Sequence, residues 1–198
     1  MYLVRRAKEQ GVLVTAEVTP HHLTLAETLA AGGDANAKVN PPLRGKYDMA
    51  ALVKGLKEGV IDFIATDHAP HTEADKACGF EAAAFGISGF ETALGSLMGL
   101  VQKGEIDLAT LIASLTCKPA AFLRRPDLGR LRPGSTADVV VFDPDAEWVV
   151  NPDDFASKGR NTPLAGSKLK GRVVVTVSRG AVVYSSEGAR LGGKGTGS

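Results

Sequence analysis

A run of apolar residues, Val60-Ile61-Asp62-Phe63-Ile64-Ala65-Thr66, ends abruptly in Asp67-His68-Ala69-Pro70-His71. Its apolar character suits a strand buried on both faces, as strands of parallel sheets are. Just upstream, Met49, Leu52, Val53 and Leu56 recur at i, i+3, i+4 and i+7, and Gly59 terminates the amphipathic helix they predict. Further upstream, the β-branched stretch Val12–Val18 reads as a strand that runs into Thr19-Pro20-His21-His22. Strand, helix and strand in this order make a β-α-β unit, and the chain is α/β in class.

Other elements follow the same pattern. Ala37-Lys38-Val39-Asn40 reads as a short strand stopped by Pro41 and Pro42, which cannot donate to a ladder. Ser88 and Glu91 have capping-box spacing and open a helix carrying Phe90, Ala93, Leu94, Leu97, Met98 and Val101. Asp107 caps a further helix, which Pro119 ends or kinks. At the amino terminus Leu3, Val4 and Ala7 have helical spacing and Gly11 stands as a C-cap, while no residue upstream serves as N-cap, so the chain is expected to begin inside a helix. From Gly129 onward β-branched segments alternate with turns, and the last two flank Arg179-Gly180 as a hairpin. The expected division is an α/β region over 1–128, a small β-rich domain over 129–190 and a disordered Gly-rich tail over 191–198.

Composition narrows the function. Across 198 residues the net charge is +1, with no basic stripe for nucleic acid and no charge run for a membrane surface. A small molecule or another protein chain is the expected partner. The two cysteines, Cys78 and Cys117, have neither metal nor redox spacing. Without an apolar leader core or a segment of roughly 20 apolar residues, a cytoplasmic location is expected.

The four histidines fall into two clusters, His21-His22 and His68/His71, each just after a predicted parallel strand. That end of the strands carries the active site in (β/α) barrels. Asp67 reads either as a turn-capping carboxylate or as a metal-bound general acid/base. His68 and His71 are separated by Ala69-Pro70, so they need not share a face; one can contact substrate, or both can be hydrogen-bonded structural imidazoles. If strand geometry persists through His21 and His22, at most one faces a site. Asn40 is either a polar turn residue or an amide aimed at a ligand. Gly86, after Phe85, either permits close backbone approach or is an ordinary loop glycine.

Taken together, the segments TAEVTPHHLTL, KVNPPLR, IDFIATDHAPHT, FGISGFETAL, RPGSTADVVVFDP and SKGRNTPLAGSKLKGRV resemble class I dihydroorotases of the amidohydrolase superfamily, in order and in spacing. The resemblance covers the chain up to its Gly-rich tail, and the ATDHAPH and NPPLR pair is its specific part. It implies the carboxy-terminal portion of a (β/α)8 metal-dependent hydrolase barrel followed by part of a small β-sandwich. It also implies reversible hydrolysis of (S)-dihydroorotate to N-carbamoyl-L-aspartate in pyrimidine biosynthesis. Residue by residue, Asp67 matches the catalytic, zinc-binding aspartate, and Asn40, His71 and the Phe85-Gly86 pair match substrate-contact positions. His21 and His22 do not match the family's metal histidines.

The chain also departs from the pattern. The remaining Zn2+ ligands of the family, a His-x-His pair, a bridging acidic or carboxylated residue and two later histidines, are expected upstream of Met1. Lys118 stands where many relatives have asparagine. A closed zinc site needs several ligands, so the isolated chain is expected to be inactive unless a missing barrel half is supplied. Two other readings compete: an allantoinase- or hydantoinase-like cyclic amidohydrolase, and a non-catalytic scaffold for aspartate carbamoyltransferase.

Overall fold

The computed structural model describes residues 1–186. The expected disordered tail over 191–198 and the end of the expected β-rich domain lie outside the described residues. The chain forms α1 (Tyr2–Glu9), β1 (Glu17–Val18), α2 (Pro20–Thr24), α3 (Thr28–Ala31), α4 (Lys46–Lys57) and β2 (Phe63–Ile64). It continues through α5 (Glu73–Lys76), α6 (Phe90–Gln102), α7 (Leu108–Leu115), α8 (Cys117–Phe122), β3 (Val139–Val149), β4 (Lys168–Ser178) and β5 (Ala181–Ser185).

The β-α-β unit is present: β1 and β2 pair in parallel, with Glu17 opposite Phe63 and Val18 opposite Ile64, and α4 lies between them in sequence. The regular part of each strand is shorter than the apolar pattern. Its flanks are tied by Asp62, whose backbone N–H donates to the Ala16 carbonyl and whose Oδ2 accepts from the Ala16 N–H, both at 2.8 Å. Lys8 of α1 donates to the other carboxylate oxygen at 2.7 Å. The apolar faces of these elements meet in one core containing Leu23, Leu56, Ile64, Leu97 and Leu111.

Two local expectations are corrected. The 37–40 segment is not a strand: Ala35–Ala37 is a 3-10 turn capped by the Asp34 side chain on the Asn36 N–H, and the Lys38 carbonyl accepts from the Gly86 N–H at 2.9 Å. Its backbone is thus satisfied by a loop glycine rather than by a ladder. The stretches DVVVFDP and EWVV, among the turn-separated β-branched segments expected from Gly129 onward, form one strand, β3, with register shifts against β4 at Val141/Phe142 and at Asp143/Glu147. These irregularities let an 11-residue strand pass through Pro144 without breaking.

The hairpin from β4 to β5 forms where the sequence placed it. Arg179 and Gly180 have φ of 49° and 81°, the left-handed pair that matches the twist of a two-residue hairpin loop. The antiparallel sheet β3-β4-β5 rests on α6 through β4. At Gly171 a Cβ would come within 2.6 Å of Met98 Cγ, so the bare backbone there permits close contact between β4 and α6. Asp107 caps α7 as expected, accepting from the Thr110 N–H at 2.7 Å, and the helix path breaks at Thr116, ahead of Pro119. No helix among the described residues is long and apolar enough to cross a membrane.

Candidate functional site

The turn that follows β2 presents Asp67 exposed at φ 49°, a left-handed conformation unusual for a residue bearing a side chain. The next residue bonds in a different direction. His68 forms an isolated parallel bridge with Ile87, and its Nδ1 accepts from the N–H groups of Gly89 and Phe90 at 3.0 and 3.2 Å. A nitrogen that accepts two N–H groups carries no proton itself, so Nε2 is the donor toward Ser157 Oγ at 3.3 Å. His68 is therefore a cap on the amino terminus of α6. The expected capping box is absent: Ser88 Oγ donates to the Gly159 carbonyl, and Glu91 Oε1 accepts from the Ser157 N–H. Both side chains are drawn away by a segment some 66 to 71 positions later in the chain.

His71 meets Phe85 and Gly86. Its Nε2 lies 2.9 Å from the Phe85 carbonyl, and its backbone N–H donates to Asn161 Oδ1 at 2.8 Å. Gly86 has φ 139°, and a Cβ there would stand 2.4 Å from the Ala69 Cβ and 3.1 Å from His71 Nε2. Only glycine lets these two strands of loop approach so closely. The loop behind them is stapled by two buried lysines. Lys38 Nζ donates to the Glu81 and Ala83 carbonyls at 2.7 and 2.8 Å and lies 4.4 Å from the centre of the Phe85 ring. Lys76 Nζ donates to the Ala35 and Ala84 carbonyls at 2.8 Å, and its burial lowers its pKa.

Asn40 is exposed, two positions after the Lys38 carbonyl that receives Gly86. No described hydrogen bond joins Asn40 or Asp67 to His71, Phe85 or Gly86. Instead, Asn40 is flanked by a bond from His22 Nε2 to the Pro41 carbonyl at 2.9 Å. His22 is itself held by Thr19, whose Oγ1 lies 2.7 Å from Nδ1. Strand geometry does not persist through the histidine pair: they stand on the helical turn α2, with ring centres 4.6 Å apart. His21 is buried with Nε2 unpartnered, and desolvation followed by the neighbouring His22 lowers its pKa to about 4.

His71 and Asn161 line a cleft of about 590 Å³ together with Lys76, Lys158 and Arg160. A hollow of about 630 Å³ between α4, α6 and β4 contains none of the candidate residues. Among the described residues, no group of three or more His, Cys, Asp or Glu side chains is placed to hold a metal ion. The donor set offers a zinc ion a single carboxylate, Asp67, which does not make a zinc centre.

Sequence reasoning missed Asn161, Ser157 and Lys38. Asn161 and Ser157 lie 90 and 89 positions from their histidine partners, and no local periodicity marks them. Lys38 carried one available signal, a charged side chain beside two apolar neighbours in a segment expected to be buried.

The family described as "Amidohydrolase family" matches residues 3–183. A curated protein named dihydroorotase, from Bacillus thuringiensis (strain Al Hakam), is 52% identical over 188 residues, covering 94% of this chain and 44% of its own length. A dihydroorotase from Bacillus cereus (strain B4264) is 51% identical over the same span. This chain therefore spans less than half the length of these relatives. Among solved structures, the L-hydantoinase (dihydropyrimidinase) from Arthrobacter aurescens is similar with a TM-score of 0.87 and 32% identity, over 93% of this chain and 42% of that one. The dihydropyrimidinase from Brevibacillus agri gives 0.86 and 29%, over 92% and 41%.

Proposed function

Because this chain belongs to the amidohydrolase family, we propose that it forms the carboxy-terminal part of a dihydroorotase, which opens (S)-dihydroorotate reversibly to N-carbamoyl-L-aspartate. The observation that carries this reading is the 52% identity to curated dihydroorotases, against 32% to the structurally similar L-hydantoinase. An allantoinase or hydantoinase activity is the less supported reading.

In the reaction, the oxygen of water adds to the ring amide carbonyl and the C–N bond breaks. Asp67 takes the proton released by the water and delivers it to the departing nitrogen, the work of a general acid/base. Its exposed position on the turn after β2 suits that role. Asn40 offers an amide and His71 the Nδ1 of its imidazole, groups that suit an anionic ring rich in hydrogen-bonding groups, and Phe85 and Gly86 meet the ligand along a backbone whose Phe85 carbonyl, Gly86 N–H and Gly86 carbonyl are taken by His71, Lys38 and Asn161. Zinc belongs to this reading through the family, but this chain's described residues supply a single carboxylate toward it and do not form its site.

Division near residue 128 and a cytoplasmic location belong to the same proposal, whereas a non-catalytic scaffold role for aspartate carbamoyltransferase competes with it. Co-purification with a transcarbamoylase would support that competing role. The decisive assay compares this chain alone with the same chain joined to the amino-terminal portion of a Bacillus dihydroorotase, each with zinc. Turnover of dihydroorotate by the joined protein only, abolished by Asp67→Asn, is expected. Preference for allantoin or a hydantoin, or zinc-dependent turnover by the 198-residue chain alone, overturns the reading.

A further inference from the structure

We propose that Asn161 is the positioning residue of this site, holding the His71 backbone and the Phe85–Gly86 backbone in the one register in which the His71 ring is fixed. The inference rests on reading His71, Phe85 and Gly86 as ligand-contacting positions. It concerns a residue outside that set, on the segment between β3 and β4.

Asn161 is 5% exposed, and both polar atoms of its side-chain amide are bonded. A primary amide offers one acceptor oxygen and two N–H donors. Here Oδ1 accepts from the His71 N–H at 2.8 Å, and Nδ2 donates to the Ala69 and Gly86 carbonyls, both at 3.0 Å. The main chain adds a fourth tie, from the Ser88 N–H to the Asn161 carbonyl at 2.8 Å. One side chain thus binds the 69–71 turn and the 86–88 segment to each other.

The consequence falls on the imidazole. With both backbones fixed, His71 Nε2 sits 2.9 Å from the Phe85 carbonyl. A carbonyl oxygen only accepts, so Nε2 carries the proton, and a neutral His71 keeps Nδ1 as its free acceptor. Asn161 therefore sets which ring nitrogen is available in the cleft that both residues line.

Two substitutions separate this role from simple core packing. Asn161→Asp keeps the shape and the acceptor for His71 N–H, but turns a carboxylate oxygen toward two carbonyls that need a donor. Asn161→Ser is small and neutral and loses the bridge without adding repulsion. The test is a ring-nitrogen correlation spectrum of the 198-residue chain labelled with 15N at histidine, recorded with backbone and methyl spectra.

In the parent chain His71 is expected as a single tautomer protonated at Nε2. In both variants that signal is expected to move to the average of two tautomers and the Gly86 amide to shift, while the His22 ring and the Leu97 and Leu111 methyls stay in place. Three results overturn the proposal: an averaged His71 tautomer in the parent, an unchanged one in both variants, or loss of the Leu97 and Leu111 methyl dispersion along with the His71 signal. No substrate enters the measurement, so its failure is distinct from failure of the dihydroorotase reading, which turns on turnover.

Discussion

The rings of His68 and Phe90 stack 3.8 Å apart with 4° between their planes, while His68 Nδ1 accepts from the Phe90 N–H. One imidazole thus both covers the first ring of α6 and satisfies backbone donors that the helix leaves open at its start. A histidine that reads as a ligand candidate in the sequence is occupied by structural work.

Replacing it exposes that work. His68→Ala removes the acceptor for the Gly89 and Phe90 N–H groups, and a lost helix cap costs about 1 kcal/mol, up to about 2. Urea denaturation of the chain should show a lower midpoint with an unchanged slope. An unchanged midpoint would remove His68 from this capping role.

Stability should also depend on pH through His21. Its folded pKa of about 4 lies below the ordinary 6.5 because burial disfavours the charged ring. The unfolded state therefore binds the proton more readily, and the stabilisation is complete above about pH 6.5 and is lost as pH falls toward 4. Between pH 7.5 and 5 the loss attributable to this residue is on the order of 2 kcal/mol. His21→Asn should flatten that part of the profile, measured as the denaturation free energy at each pH; an equally steep profile would assign the dependence to other groups.

Gly86→Ala should disturb both stability and the His71 ring. The new Cβ would meet Ala69 Cβ at 2.4 Å with φ at 139°, so the two loop segments must separate. Overpacking of this kind costs about 1–3 kcal/mol. Thermal melting together with the His71 ring spectrum checks it, and a variant that melts like the parent with the ring unmoved would show that the loop yields freely.

Lys38→Met keeps the length of the buried stem and removes the donor to the Glu81 and Ala83 carbonyls. The loop leading to Phe85 should open more often. Amide exchange at Ala84 and Gly86 is expected to quicken by roughly tenfold, the effect of losing about 1–2 kcal/mol of local protection. Equal exchange rates in variant and parent would show that Phe85 is held by other contacts.

Local sequence was enough for the β-α-β unit, the amphipathic face of α4, the Asp107 cap and the hairpin at Arg179-Gly180. Each of these rests on periodicity or on a turn residue acting within a few positions, which is information that a local stretch contains. Its motifs also pointed to the amidohydrolase family, to which the chain belongs. Tertiary structure decided what the polar residues bond to. Ser88 and Glu91 have capping-box spacing yet bond to Gly159 and Ser157, because those backbone groups are brought within reach by the segment between β3 and β4. Likewise Lys38 was expected in a strand and is instead a buried staple, and His21 and His22, expected just after a strand, stand on a helical turn. Hydrogen bonds are short-ranged in space but carry no limit in sequence separation. The choice between a ligand, a cap and a staple is therefore fixed only when distant segments meet.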